Sequence, residues 1–231
     1  MYLVSIIIIS AIFGWLVLPY AIRQFQEAML KKKCRMSRTI ALTYDDGPSA
    51  ELTKKILILL KAYDVRATFF MLGKKIATDL EMPRILIQEG HEIGSHSFQH
   101  LNAWKRSPVA VYRDINLGLV GIRAFGQPLL FRPPHGKLTL ATMLQVWFNQ
   151  CRYAWWTIDS TDTWPTPKPI EGVIERIRSS GGGVILMHDH SRTNNPAREA
   201  YVLDLTKSIL ELARKEGFKV RKMSEIVLSK T

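Results

Sequence analysis

Short apolar runs rich in β-branched and aromatic residues alternate with amphipathic stretches along the chain after residue 38. The runs predicted as strands are 39–44, 67–72, 92–95, 129–132, 153–158, 184–187 and 218–220. The stretches with helical spacing of apolar positions are 52–60, 76–88, 109–124, 140–148, 170–177 and 201–212. This alternation predicts an α/β fold in which parallel strands are joined by helical crossovers, and we expect the sheet to close into a barrel.

The first 22 residues differ from the rest, because they carry no charged side chain and are densely apolar from residue 6 to residue 18. About 20 such residues in a helix can cross a hydrocarbon core of about 30 Å. A cleaved signal peptide would have a basic residue before the apolar run and a small-x-small site after it. Because this sequence has neither, we predict an uncleaved transmembrane anchor over residues 1–22, in preference to a buried core helix.

Residues 23–38 form a basic stretch, which we interpret as a juxtamembrane linker. Its basic residues are Arg23, Lys31, Lys32, Lys33, Arg35 and Arg38, with Glu27 as the one acid. The positive-inside rule then favours a single-pass protein whose domain faces the cytoplasm, although other determinants can invert one helix and leave the extracytoplasmic face open. The same charges would attract the anionic headgroups of membrane lipids.

Composition limits the classes of fold, partner and cysteine site that the chain can have. With 47% hydrophobic and 23% charged residues, the chain suits one globular domain, which we place at residues 39–231. The net charge of +12 predicts attraction to an anionic partner. We expect no nucleic acid partner, because no recognition helix or stacking motif accompanies this charge. Two cysteines, Cys34 and Cys151, cannot build a disulfide framework or a CxxC metal site.

Titratable residues cluster where the predicted strands end, and α/β barrels carry their active sites at that edge. The segments are 45–46, 96–100, 132–136, 159–162 and 186–189. Side chains alternate along a strand, but the turn at Gly47-Pro48 could bring both Asp45 and Asp46 into one cleft. We interpret them as one metal ligand and one group free for proton transfer, against the alternative of an Asp-rich turn.

His96 and His100 are four positions apart, so on a helical turn both would lie on one face. That spacing suits the joint coordination of one metal ion by neutral imidazoles. One added carboxylate would complete a two-His, one-carboxylate set with open positions for water and substrate.

In this order, the five segments resemble the motifs of the polysaccharide deacetylase family, also called NodB-homology or carbohydrate esterase family 4 enzymes. The resemblance covers about residues 39–225 and includes Ala67-Thr68-Phe69-Phe70 on the second strand. It implies a distorted, incomplete (β/α) barrel of about seven parallel strands. It also implies hydrolysis of N-acetyl or O-acetyl groups on sugars with a divalent metal, commonly Zn²⁺, with Co²⁺, Mn²⁺ or Ni²⁺ as alternatives.

The resemblance also assigns roles by position. It implies that the metal ligands are Asp46, His96 and His100, and that the catalytic residues are Asp45 as general base, Arg132, Asp162 and His188. In these roles Arg132 orients Asp45, and His188 is the general acid that protonates the leaving amine. A backbone N–H near His135 would help to stabilise the oxyanion. The substrate-binding residues would be His135, Trp164 and Leu186.

The sequence departs from the family pattern at two positions. His135 stands where an aromatic residue, usually Tyr, precedes the glycine. The fourth motif usually ends in Asp-Trp, whereas Thr163 separates Asp162 from Trp164 here. Either Asp159 or Asp162 is therefore the working acid, and we favour Asp162.

Taken together, the sequence predicts a membrane-anchored, metal-dependent deacetylase of N-acetylated amino sugars. Its partner would be an N-acetylated glycan or a polyprenyl-linked amino sugar, and a deformylase would use the same site. The competing class is a non-catalytic, membrane-tethered glycan-binding protein. That class predicts the loss of an essential group, yet Asp45, Asp46, His96, His100, Arg132 and His188 are all present.

Overall fold

A sheet of parallel strands forms the centre of the protein in a computed structural model, which describes residues 13–190 and 195–229. The strands are β1 (Thr39–Asp45), β2 (Thr68–Met71), β3 (Glu92–Ser95), β4 (Leu130–Phe131), β5 (Arg152–Tyr153), β6 (Ile158–Asp159), β7 (Gly183–His188) and β8 (Lys219–Val220). Seven of them follow the order β5-β4-β3-β2-β1-β7-β6, and β8 pairs with the start of β1. Within the described residues the edge strands β5 and β6 do not pair, so the predicted distorted, incomplete barrel is confirmed.

Helices surround this sheet. After a short π-helical segment (Phe13–Val17) they are α1 (Leu18–Ser37), α2 (Leu52–Ala62), α3 (Gly73–Thr78), α4 (Glu81–Gln88), α5 (Pro108–Arg123), α6 (Leu140–Phe148), α7 (Ile170–Ser180), α8 (Pro196–Glu216) and α9 (Met223–Val227). Each longer helix buries an apolar stripe: in α2, for example, Leu52, Ile56 and Leu60 recur every four residues and are buried. The largest core cluster lies between these stripes and the outer face of the strands.

Strand β1 runs through the middle of the sheet, and all seven of its residues are buried. Alternation divides its side chains between the two faces of the strand. Ile40, Leu42 and Tyr44 pack into the core cluster under the helices. The other face carries Thr43 and Asp45, which both contact the same arginine side chain. The period of the strand therefore places Asp45 on the inner face of the barrel.

Two predicted elements are wrong because each one is interrupted. The predicted strand 153–158 divides into β5 and β6, since residues 154–157 leave the sheet and bury the indole of Trp155. The predicted helix 76–88 divides into α3 and α4. Asp79 caps the second helix by accepting hydrogen bonds from the N–H groups of Glu81 and Met82, and Pro83 cannot continue an earlier helix.

The N-terminal helix packs against the barrel. Residues 23–38, interpreted from the sequence as a linker, lie almost entirely in α1, where Leu30 and Cys34 are buried. Lys33 Nζ donates to the backbone oxygen of Ile226 at 3.3 Å. Of the predicted anchor, residues 1–12 lie outside the described residues. None of the helices in residues 13–190 and 195–229 combines the length and the apolar character needed to cross a membrane.

Candidate active site

Asp45 and Asp46 occupy the end of β1 and the first residue beyond it. Asp46 has a φ of 70°, in the left-handed region that Asp tolerates better than most residues. This reversal ends the alternation of the strand and turns both carboxylates toward one cavity, which both line. The positive φ explains how two adjacent residues share a site.

The two histidines follow β3 on a loop, so the expectation of a helical turn is wrong. Ser97 and His100 both have a φ of 67°, and these two reversals bring the imidazoles within 4.8 Å, measured between ring centroids. The Ser97 hydroxyl accepts a hydrogen bond from the His100 N–H at 3.0 Å. The buried carboxylate of Asp114 accepts two more, from the N–H groups of Gln99 and Leu101. Hydrogen bonds from side chains therefore shape this loop.

Asp46, His96 and His100 form a candidate metal centre. One potential ligand atom from each residue lies within 4.8 Å of the other two. Asp46 Oδ1 is 3.6 Å from His96 Nε2 and 3.3 Å from His100 Nε2. Ligand atoms about 2.1 Å from a tetrahedral ion are separated by about 3.4 Å, so these atoms are spaced to hold one ion.

The orientation of His96 supports the same interpretation. Its Nδ1 lies 2.7 Å from the backbone oxygen of Arg132, an acceptor that favours a proton on Nδ1. Nε2 then presents its lone pair to the cluster, as expected of a metal ligand held by an outer partner. The donor set of one carboxylate and two imidazoles therefore fits a divalent transition metal.

Arg132 holds the other carboxylate. Its fully buried guanidinium donates hydrogen bonds to Asp45 Oδ1, Thr43 Oγ1 and the backbone oxygen of Ala154, each at 2.8 Å. Burial lowers the pKa of Arg132, while the charge of Asp45 and its hydrogen bond act in the opposite direction. The guanidinium also lies 4.1 Å above the ring of Phe70. These contacts fix the direction of the Asp45 carboxylate.

His188, which lines the cavity, forms a second pair with the buried Asp162. His188 Nδ1 is 2.9 Å from Asp162 Oδ1, and the His188 N–H donates to Asp162 Oδ2 at 3.1 Å. Burial alone would lower the pKa of His188, but the charge and hydrogen bond of Asp162 outweigh it and raise the pKa to about 9. The register of β1 and β7 sets His188 beside Asp45.

Asp159 and Asp162, the two candidate acids of the fourth segment, occupy different positions in the structure. Asp162 is buried against His188 and also accepts a hydrogen bond from the Ser160 hydroxyl at 2.9 Å. Asp159 accepts from the Thr161 N–H at 2.7 Å and lines the cavity. The contact to His188 therefore belongs to Asp162.

These groups surround a cavity of about 510 Å³. Besides the metal cluster, it is lined by Asp45, Pro133, His135, Trp156, Asp159, Thr163, Leu186, His188 and Arg198. Of the predicted substrate-binding residues, His135 and Leu186 thus face the cavity. Trp164 lies outside its lining and is half exposed in a neighbouring depression.

Trp156 and Arg198 line the cavity although the sequence did not single them out. Trp156 lies within the predicted strand 153–158, so its position at the site depends on the break between β5 and β6. Arg198 lies in the first turn of α8, and its Nη2 atom is 3.5 Å from Asp162 Oδ2. Neither residue belongs to a motif with its own sequence signal.

The family model described as polysaccharide deacetylase matches residues 32–153, more than half of the chain. A peptidoglycan-N-acetylglucosamine deacetylase of Bacillus cereus is 32% identical over 199 residues, which cover 82% of this chain and 88% of the relative. The chain belongs to the polysaccharide deacetylase family. We therefore assign this polysaccharide deacetylase to the hydrolases that act on N-acetyl groups of amino sugars.

Solved structures agree with this fold. The peptidoglycan deacetylase PdaC from Bacillus subtilis has a TM-score of 0.68 and 28% identity, covering 81% of this chain and 89% of that one. A carbohydrate esterase family 4 pseudoenzyme from Bacillus anthracis has a TM-score of 0.70 at 23% identity, covering 84% of this chain and 66% of that one, which shows the fold alone. The relatives PgdA of Listeria monocytogenes and PdaC of Bacillus subtilis are longer, and the match spans only 34% and 36% of their length.

Proposed function

We propose that this protein is a metal-dependent N-deacetylase of an N-acetylated amino-sugar glycan. One observation carries the proposal: the Asp46, His96 and His100 cluster, the Arg132-bound Asp45 and the Asp162-bound His188 surround the same cavity. Candidate metal ligands, a candidate base and a candidate acid therefore lie together, a combination that suits amide hydrolysis at neutral pH.

Asp46, His96 and His100 would hold the metal ion, with Zn²⁺ the first candidate from the donor set. When bound, such an ion supplies Lewis acidity, which polarises a carbonyl and lowers the pKa of water. The remaining chemistry depends on side chains of this chain.

Asp45 is the proposed general base, which accepts a proton from the attacking water. Arg132, just after β4, keeps the Asp45 carboxylate aimed into the cavity, because its buried guanidinium donates hydrogen bonds to both Asp45 Oδ1 and Thr43 Oγ1. His188 is the proposed general acid and donates a proton to the departing amine. Asp162 keeps His188 protonated at neutral pH, in accordance with its raised pKa. Leu186 offers an apolar contact to the acetyl methyl group.

The substrate class follows from the relatives. The Bacillus cereus relative is named for peptidoglycan N-acetylglucosamine, which makes peptidoglycan the first glycan to test. A polyprenyl-linked amino sugar is the narrower alternative suggested by the basic residues of α1. The non-catalytic alternative loses support, because all six essential groups lie at the cavity or contact its lining.

Membrane attachment through residues 1–22 is part of the same proposal. The support is the uncharged, apolar sequence followed by basic residues. These charges favour a cytoplasmic domain, whereas peptidoglycan lies on the other face of the membrane. Labelling of a cysteine introduced into an exposed loop in intact cells would decide the orientation, and with it the choice between the two substrates.

Acetate release tests the catalytic proposal. Purified protein would be incubated with peptidoglycan and with N-acetylglucosamine oligosaccharides, before and after chelation and after restoring Zn²⁺. We expect release that chelation abolishes and Zn²⁺ restores. Matched N-formyl oligosaccharides identify a deformylase if formate appears without acetate. No release of either acid, with one metal ion bound per chain, would refute the proposal.

A further inference from the structure

Helix α1 reaches the candidate active site through Arg23. Arg23 Nη1 donates to the backbone oxygen of Gly136 at 2.5 Å, although the two residues are 113 positions apart. Its Nε donates to Glu27 Oε1 at 2.7 Å, which fixes the guanidinium from the helix side. The guanidinium carbon lies 4.9 Å from the ring centroid of Trp155 and 5.1 Å from that of Trp156. Arg23 is therefore held by hydrogen bonds and by two aromatic rings.

The backbone that Arg23 holds is an unusual part of the cavity wall. His135 and Gly136 have φ values of 56° and 63° in consecutive positions. A non-glycine residue such as His is strained at that φ and needs its surroundings to keep it there. His135 lines the cavity, and its ring lies 4.4 Å from that of the metal-cluster residue His100. Movement of this turn would therefore move a wall of the site.

Packing leaves this turn little space beside Arg23. A Cβ atom built on Gly136 would lie 2.5 Å from Arg23 Nη1 and 2.8 Å from Trp156 Cη2. Trp156 also lines the cavity, and the guanidinium of Arg132 lies 5.8 Å from its ring centroid. Arg23 thus contacts two neighbouring parts of the cavity wall, the turn at 135–136 and the indole of Trp156.

We propose that Arg23 is a positioning residue, which holds the turn at His135 and Gly136 and the indole of Trp156 in the geometry needed for turnover. Arg23 lies in the part of α1 that precedes residues 32–153, which the family model matches. The inference rests on the proposed function, because the turnover concerned is deacetylation. The competing explanation is that Arg23 only attaches α1 to the barrel.

Gln26 provides the matched control. It lies one helical turn after Arg23, and its Oε1 accepts a hydrogen bond from the indole N–H of Trp155 at 2.7 Å. Gln26→Ala therefore weakens the attachment of α1, while the contact of Arg23 with Gly136 remains. Any loss that follows from loosening the helix should appear in both variants.

Displacements of about 1 Å in an active site can reduce turnover about 100-fold. We expect Arg23→Ala to lower kcat by roughly 10- to 100-fold with a smaller change in KM, at an unchanged ratio of bound Zn²⁺ to chain. Arg23→Lys keeps the charge but loses the planar group that contacts the two indoles. We therefore expect its kcat to lie between those of Arg23→Ala and the wild type. Gln26→Ala should lower the melting temperature about as much as Arg23→Ala does, but it should leave kcat within about twofold of the wild type.

Amide hydrogen exchange of residues 133–138 gives a readout that does not depend on turnover. We expect faster exchange there in Arg23→Ala than in Gln26→Ala. Equal exchange and equal kcat in the two variants would overturn the inference, as would wild-type kcat in Arg23→Ala. If Arg23→Ala does not fold, the same comparison is made with Arg23→Lys. A wild-type protein without acetate release would refute the proposed function instead, while the exchange comparison would still test whether Arg23 holds the turn.

Discussion

The buried pair of Arg132 and Asp45 allows a quantitative test of how the site is built. Arg132→Met keeps an unbranched, apolar side chain on Phe70 but removes the cation that faces Asp45. Both partners are at most 2% exposed, so the remaining carboxylate loses its buried cationic partner. Removing one member of such a buried pair costs about 3–5 kcal/mol.

For a domain of this size, each kcal/mol corresponds to roughly 2–4 °C in melting temperature. We therefore expect Arg132→Met to lower the melting temperature by roughly 6 to 20 °C. Most of this loss would come from the uncompensated charge, so adding Asp45→Asn should recover part of it. The double variant should thus be more stable than Arg132→Met alone.

The assay is thermal and urea unfolding of the metal-free protein, followed by circular dichroism. Chelation removes the stabilisation that a bound ion would add to the folded state. Arg178→Met is the control, because Arg178 forms its ion pairs with Glu175 and Glu216 on the surface and should change stability little. A loss below about 1 kcal/mol for Arg132→Met, or no recovery in the double variant, would show that the buried pair does not stabilise the site in this way.

Three further variants test other parts of the site. Asp162→Asn removes the charge that raises the pKa of His188 to about 9, leaving burial to lower it. The proposed acid is active when protonated, so the alkaline limb of the kcat profile should move to lower pH, and an unmoved limb would contradict the assignment. Gly47→Ala would place a Cβ atom in the carboxylate of Asp189, so we expect a lower melting temperature and lost turnover; wild-type values for both would show that the turn adapts. Trp164→Ala should raise KM for long oligosaccharides with little change for short ones, and equal effects on both would argue against an extended binding surface there.

Much of the site could be predicted because its geometry follows from strand order and period. Asp45, His96 and His188 lie at or just beyond the carboxyl ends of β1, β3 and β7. Parallel strands end at the same edge of a sheet, so residues far apart in sequence had to meet there. Apolar periodicity located most of these strands, including β3 without a boundary error.

The remaining features depend on packing between distant segments. The positive φ of Asp46 and the loop that carries His96 and His100 are maintained by contacts that no local pattern specifies. The break between β5 and β6 lies in a run with strong strand propensity, where Trp155 is buried and donates its indole N–H to Gln26 of α1. The contact of Arg23 with Gly136 joins segments too far apart to be predicted from one sequence.

In the proposed mechanism the two adjacent aspartates have different roles, Asp46 as metal ligand and Asp45 as base. The most direct measurement is metal content and acetate release on the same preparations of wild type, Asp45→Asn and His96→Ala. We expect about one Zn²⁺ per chain in Asp45→Asn with turnover reduced at least about 100-fold, and both metal and turnover lost in His96→Ala. Near wild-type turnover in Asp45→Asn, or full metal occupancy in His96→Ala, would contradict these roles.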